Sequence, residues 1–171
     1  MKTNLIYRTF FQSLFIVTMI SVSMVACSGK KTAADADAPQ ATVDQEDINK
    51  GRADSDSGNA MGMQTVHFPF DSFELTGEAN SVIKNNYGIL KENPSVNIQI
   101  EGHCDERGGI QYNLALGEKR ANAVKKKLVS MGVAASRIET LSLGKEHPVA
   151  LGHTESDYAQ NRRGNFVITS K

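Results

Sequence analysis

Between Gln64 and Thr65 the character of the chain changes, and that break limits what can fold. Residues 28–64 are rich in Ala, Asp, Gly, Ser and Lys, with almost no large apolar side chains beyond Val43, Ile48, Met61 and Met63. Such a segment buries too little apolar surface to offset the entropy of ordering its backbone, so it is expected to be a flexible tether. From Thr65 onward apolar residues recur at strand and helix spacings, so a packed core has to come from residues 65–171.

Within that part, Val66, Phe68 and Phe70 alternate with Thr65, His67 and Pro69, which predicts a short strand whose proline confines it to a sheet edge or a strand end. Val82, Ile83, Tyr87 and Leu90 predict a helix over 78–91, stopped by Asn93-Pro94. Val96–Ile100 alternates cleanly as a strand. Leu114, Gly117, Ala121, Val124 and Leu128 form one stripe of a second helix, ended by Gly132. Ile138–Leu143 and Asn165–Thr169 are two further strands. The β-α-β-α-β-β order predicts an α+β fold, a two-layer sandwich of helices on a mixed sheet, and the helical crossovers permit parallel strand pairs.

The N-terminus reads as an address. Lys2 and Arg8 precede a mostly apolar run from Phe10 to Val25, 16 residues long. A membrane-spanning helix needs roughly 20 apolar residues, so the run fits a secretory signal better than an uncleaved span. Met24-Val25-Ala26-Cys27 resembles the bacterial lipobox, which implies a signal peptide over 1–26 and lipidation of Cys27. Each buried methylene adds roughly 0.8 kcal/mol of membrane affinity, so several acyl chains anchor firmly. Ser28 after the cysteine resembles the sorting signal for the outer membrane. Residues 27–64 would then be a lipid-anchored linker spanning about 35 Å as a coil and on the order of 120 Å stretched. With Cys27 acylated, Cys104 has no partner for an intramolecular disulfide.

Charge excludes some functions. The 19 basic and 19 acidic residues balance, so nothing suggests a nucleic-acid surface, while residues 28–64 carry four basic and seven acidic side chains. The densest polar cluster follows the Val96–Ile100 strand: Glu101-Gly102-His103-Cys104-Asp105-Glu106-Arg107-Gly108-Gly109. Its glycines predict a tight loop. Asn113 is placed to cap the second helix, and Arg120 lies two turns inside it, so an acid on the loop and a base on the helix could stand side by side.

Together with that loop, Phe68-Pro69-Phe70-Asp71, Tyr112-Asn113, Leu116, Arg120-Ala121, Gly144-Lys145-Glu146 with Pro148, and Asn161-Arg162-Arg163 resemble the OmpA-like peptidoglycan-binding domain family. The resemblance covers roughly 65–171, and the lipobox points to its lipid-anchored branch. It implies non-covalent binding of peptidoglycan through meso-diaminopimelate, the stem-peptide residue whose side chain ends in a carboxylate and an ammonium. By the same resemblance Arg120 takes the carboxylate, in keeping with the guanidinium fork's fit to that group. Asp105 takes the ammonium, and Phe70, Asp71, Asn113 and Leu116 complete the rim. The implied protein tethers outer membrane to cell wall, faces the periplasm, needs no cofactor, and partners the periplasmic Tol propeller protein (TolB) in envelope integrity and cell division. Cys104 departs from the Thr or Ala usual at its position.

Other chemistries fit less well. His103 and Cys104 are neighbours on an extended chain and point to opposite faces. No CxxC or HxxxH spacing supplies a metal site, so neither metal nor thiol chemistry is expected. Glu101 and Glu106 lack a sugar cleft in which to act as a glycosidase pair, and no enzyme is expected. Lys125-Lys126-Lys127 reads as a solvated helix face; Arg162-Arg163 reads as a surface pair, while the family resemblance implies that it also supports the sheet end and the binding region.

Overall fold

Thr76 begins the first helix: its hydroxyl accepts the Ala79 N–H at 3.1 Å, satisfying one of the amides a helix start leaves open. The computed structural model describes residues 53–170. The expected signal peptide, the lipidated Cys27 and the tether as far as residue 52 lie outside the described residues. Strand β1 (Val66–His67) is followed by helix α1 (Gly77–Glu92), β2 (Asn97–His103), α2 (Ile110–Ser130), β3 (Ile138–Gly144), α3 (Glu155–Asn161) and β4 (Arg163–Ser170). The α+β sandwich inferred from periodicity is present, with three differences. The first strand keeps only two of its six expected residues. Helix α2 starts at Ile110, four residues before its apolar stripe. The short α3, opened by a Thr154–Asp157 capping box, was not anticipated because seven residues give too little periodicity to see.

The sheet order is β1-β4-β2-β3. β2 and β3 are parallel, joined by the α2 crossover, and β4 is antiparallel to both β1 and β2. Ile98 and Ile100 of β2, Phe166 of β4 and Val66 of β1 face Ile83 and Leu90 of α1 and Ala121, Val124 and Leu128 of α2, all buried. Burying a side chain of this size stabilises the fold by roughly 1.5–3 kcal/mol.

Residues 53–64, expected to belong to the tether, are packed onto the domain, which corrects the boundary at 64/65 for this stretch. Ser55 N–H donates to Phe166 O at 2.9 Å and Ile168 N–H to Ala53 O at 2.8 Å, so the segment continues the edge of β4 beyond the two residues that β1 covers. Asn86, fully buried on α1, holds the other end. Its side chain accepts the Gln64 N–H at 2.9 Å and donates to Gln64 O at 2.7 Å. Composition misjudged the segment because its attachments are backbone and polar bonds plus two small apolar plugs, Ala60 and Met63.

One backbone contact sets the loop after β2 against α2. A Cβ on Gly102 would lie 1.8 Å from Gly117 O, and one on Gly117 would lie 2.4 Å from Ser142 Oγ and 2.6 Å from Gly102 O. The backbones of β2 and α2 therefore touch, which only glycine allows. This brings the loop after β2 against the first two turns of α2.

Candidate functional site

The C-terminal ends of β2 and β3 and the N-terminal end of β4 meet at one end of the sheet, beside the start of α2. The 104–109 loop closes over that end and is held at several points. Cys104 N–H donates to Gly144 O at 2.7 Å, Lys145 Nζ donates to Glu106 O at 3.0 Å and Gly108 O at 2.8 Å, and Asn113 Nδ2 donates to Arg107 O at 2.8 Å. Asn113 thus does not cap α2. The cap position belongs to Gly109, and Asn113, in the first turn, fastens the loop instead. Gly108 turns the chain at φ +88°, a conformation glycine adopts freely.

A cavity of about 170 Å³ opens here, lined by Phe70, Asp71, Cys104, Asp105, Arg107, Gly108, Tyr112, Asn113, Leu116 and Arg120. All six pocket residues singled out from the sequence border it. Asp71 sits at its rim with φ +51°, a backbone region uncommon outside glycine, and accepts a hydrogen bond from the Tyr112 hydroxyl.

Arg120 forms the floor and is 1 % exposed. Its Nε donates to Ser72 O at 2.9 Å, Nη1 to His103 O at 2.8 Å and to Cys104 Sγ at 3.4 Å, and Nη2 to Pro69 O at 3.1 Å. Those are neutral acceptors. Among the described residues no carboxylate forms an ion pair with this guanidinium, and of its five N–H groups one on Nη2 is left over. Burial draws the Arg120 pKa down from the ordinary arginine value, opposed by Cys104 and Asp105. Arginine still keeps its charge under such conditions. Burial likewise pushes the Cys104 thiol up, with Arg120 pulling it down. Its Sγ donates to Asn113 O at 3.4 Å, so the thiol is held as a small buried side chain.

Asp105 borders the same cavity as Arg120, as expected of an acid and a base standing near one another, but no ion pair joins the two. Its Oδ1 accepts the backbone N–H of Arg107 at 3.1 Å and Arg107 Nε at 3.1 Å, while Oδ2 accepts Arg107 Nη2 at 2.6 Å and Arg162 Nη1 at 3.3 Å. Burial alone would raise the Asp105 pKa, but the hydrogen bonds from Arg107 and Arg162 outweigh it and hold the carboxyl below its ordinary value. Glu155 closes the ring, accepting from Arg107 Nη1 at 3.3 Å and forming an ion pair with Arg162 Nη2 at 2.9 Å.

Arg162 and Arg163 are buried rather than a surface pair. Arg162 Nε also donates to Phe68 O at 3.1 Å, and Arg163 reaches Asp56 at 2.7 Å on the opposite side of the sheet. The apolar pattern gave no sign of this burial, because β4 starts two residues before that pattern; only the family resemblance tied the pair to the sheet end. Arg107 was visible within the loop but not its position over Asp105.

The model of the OmpA family matches residues 67–162. A peptidoglycan-associated lipoprotein of Haemophilus influenzae is 43% identical over 99 residues, which are 58% of this chain and 65% of that protein, so here the chain spans just under two thirds of its relative. One from Pseudomonas aeruginosa is 40% identical over 145 residues, 81% of this chain and 86% of the relative. Among solved structures, the peptidoglycan-associated lipoprotein from Burkholderia pseudomallei superposes with a TM-score of 0.59 at 46% identity, covering 61% of this chain and 89% of that one.

Proposed function

The chain belongs to the OmpA family, and on that premise we propose that it is a lipid-anchored outer-membrane protein that grips peptidoglycan non-covalently by diaminopimelate. The observation that carries this reading is the unmatched charge of Arg120, a buried guanidinium with only neutral partners at the floor of an open cavity. A buried cation without an acid is costly, and a guest carboxylate would compensate it through charge-assisted hydrogen bonds worth about 1.5–3 kcal/mol each. Asp105 on the same cavity wall suits an ammonium. A ligand presenting both groups on one carbon, as the diaminopimelate side chain does, satisfies both walls. Phe70, Tyr112 and Leu116 supply apolar sides for its methylene stem. Anchoring through Cys27 and a leash to the membrane complete the proposal, supported by the lipobox and by the lipoprotein name of the relatives; contact with TolB is added on the family resemblance alone.

The site favours binding without catalysis. The Cys104 thiol is engaged by Arg120 and Asn113, and the His103 ring stands 3.8 Å from Glu101 on the other side of the sheet. Among the described residues no thiol–imidazole pair forms.

The test is a pull-down of the full-length protein on purified sacculi containing diaminopimelate and on walls containing lysine instead. Retention on the first alone is expected, and Arg120→Lys, which keeps a charge but loses the fork, should reduce it at least about tenfold. Equal retention on both walls would remove diaminopimelate from the proposal.

A further inference from the structure

We propose that Arg107 is an internal stand-in for the ligand's ammonium and must be displaced from Asp105 before the wall can be gripped. The inference rests on the reading of the pocket given above and adds to it the residue that sets how demanding the pocket is.

A carboxylate offers about four lone-pair positions. All four on Asp105 are occupied: two on Oδ1 and two on Oδ2, three of the four by Arg107 and the fourth by Arg162. An incoming ammonium therefore finds no vacant acceptor. Of the present partners, the Arg107 backbone N–H is fixed by the turn, and Arg162 is buried with a further hydrogen bond to Phe68 O and an ion pair with Glu155. The Arg107 side chain is the one that can leave. It is 36% exposed, against 7% for the Arg162 side chain.

Somewhere to go is already built. The guanidinium carbon of Arg107 lies 4.1 Å from the centre of the Phe70 ring and 4.4 Å from that of Tyr158, and Nη1 is 3.3 Å from Glu155, whose side chain is 65% exposed. Sliding outward between the two rings exchanges Asp105 for Glu155 and water while keeping the cation–π contacts. The exchange conserves charge at Asp105, since one cation replaces another. A ligand then binds with an affinity reduced by the fraction of molecules in which Arg107 is withdrawn. An ammonium by itself gains little from replacing a guanidinium. A ligand that also delivers a carboxylate to Arg120 gains a second charge pair, so Arg107 imposes a threshold that a two-ended head group clears.

The experiment is calorimetric titration of the full-length protein in detergent with a disaccharide-tetrapeptide carrying meso-diaminopimelate. Wild type is compared with Arg107→Met, which keeps an apolar stem between the rings but carries no donor, and Arg107→Lys, which keeps a competing cation. Arg107→Met is expected to bind about three- to tenfold tighter, and Arg107→Lys within about twofold of wild type. Weaker or unchanged binding by Arg107→Met overturns displacement and leaves the pocket reading intact. Should Arg107→Met fail to fold, Arg107→Lys decides: a loss beyond about tenfold would mean that the guanidinium itself holds the ligand. Absence of wild-type binding overturns both readings together.

Discussion

Two groups of buried polar side chains lie on either side of the end of β2 and are completed in different ways. On the face of the sheet away from the helices, Glu101, His103, Arg163 and Asn165 are roofed by the chain's own residues 53–57. Arg163 Nε meets Asp56 at 2.7 Å, Asn165 Nδ2 meets Glu101 at 3.1 Å, and Asn165 Oδ1 accepts from Ser55 Oγ at 2.9 Å and Asp56 N–H at 3.2 Å. At the end of the same strand, Asp105, Arg107, Arg162 and Glu155 alternate in a ring, but Arg120 beside them ends on backbone carbonyls and a cavity. In the roofed group the charged arginine has its acid, and the group left without hydrogen bonds is the His103 ring, which can stay neutral. In the open group a permanent cation, Arg120, has no acid paired with it among the described residues. Buried polarity reads as architecture where the chain supplies the counter-charge and as a binding site where it does not.

The strongest way to break the comparison is to remove the contact on which both groups depend. Gly102→Ala would press a methyl into Gly117 O. It should cost about 3 kcal/mol or more, abolishing a cooperative urea transition; an unchanged midpoint would contradict the close approach of β2 and α2. Next, two of the buried arginines, Arg163 and Arg120, should separate by assay. Arg163→Ala strips Asp56 of its partner and should lose about 3 kcal/mol in a denaturant melt while each folded molecule still binds walls. Arg120→Lys should lose roughly 1–2 kcal/mol, from poorer coverage of three carbonyls, yet most of its wall binding. If both variants lose stability and binding in equal proportion, the distinction fails.

Acid titration sharpens the contrast further. Burial chiefly lowers the pKa of His103 from its ordinary 6.5, opposed by the Glu101 carboxylate, which at 3.8 Å is a nearby charge and not a hydrogen-bond acceptor, and assisted by Arg163. A depressed histidine means that the unfolded chain takes the proton first. Stability is then full above about pH 6.5 and falls as pH drops from there toward the folded value. Asp105, held below its ordinary 3.8, contributes stability that is complete above that pH and lost as pH falls through its folded value. Melting temperature against pH should therefore decline in two windows, and His103→Gln should remove the upper one alone. The smallest effect is that of Ser55→Ala, which deletes the hydroxyl bonds to Asn165 and to the Phe166 N–H. A loss of about 1 kcal/mol by urea melting is expected, and no loss would mean the roof contributes little.

The helix and strand assignments were legible because burial imposes a period on side chains. Ile98 and Ile100 alternate in the sequence for the reason that they alternate in β2, and Val124 and Leu128 recur because one face of α2 meets the sheet. The pocket residues were legible through blocks of residue types that resemble a family, and the cavity does bring Phe70, Asp71, Asp105, Asn113, Leu116 and Arg120 to one place. What those residues touch was not legible. Asp105 could be named from the chain, but its saturation by Arg107 and Arg162 depends on a residue 57 positions away. Residues 53–64 looked too polar to order, and they are held by Asn86, Asn165 and the unpaired edge of β4, none of which leaves a mark in their own composition.

Sequence by itself determined the period of each main element, the place of the glycine-bounded loop and the identity of the charges on it, because those follow from local sterics and from which side chains water rejects. Tertiary structure alone decided which charges neutralise each other. Counter-charges are assigned by distance in space, and the contact of Gly102 with Gly117, by setting how near the loop lies to the helix, leaves Asp105 with two guanidinium partners and Arg120 with none of its own acids.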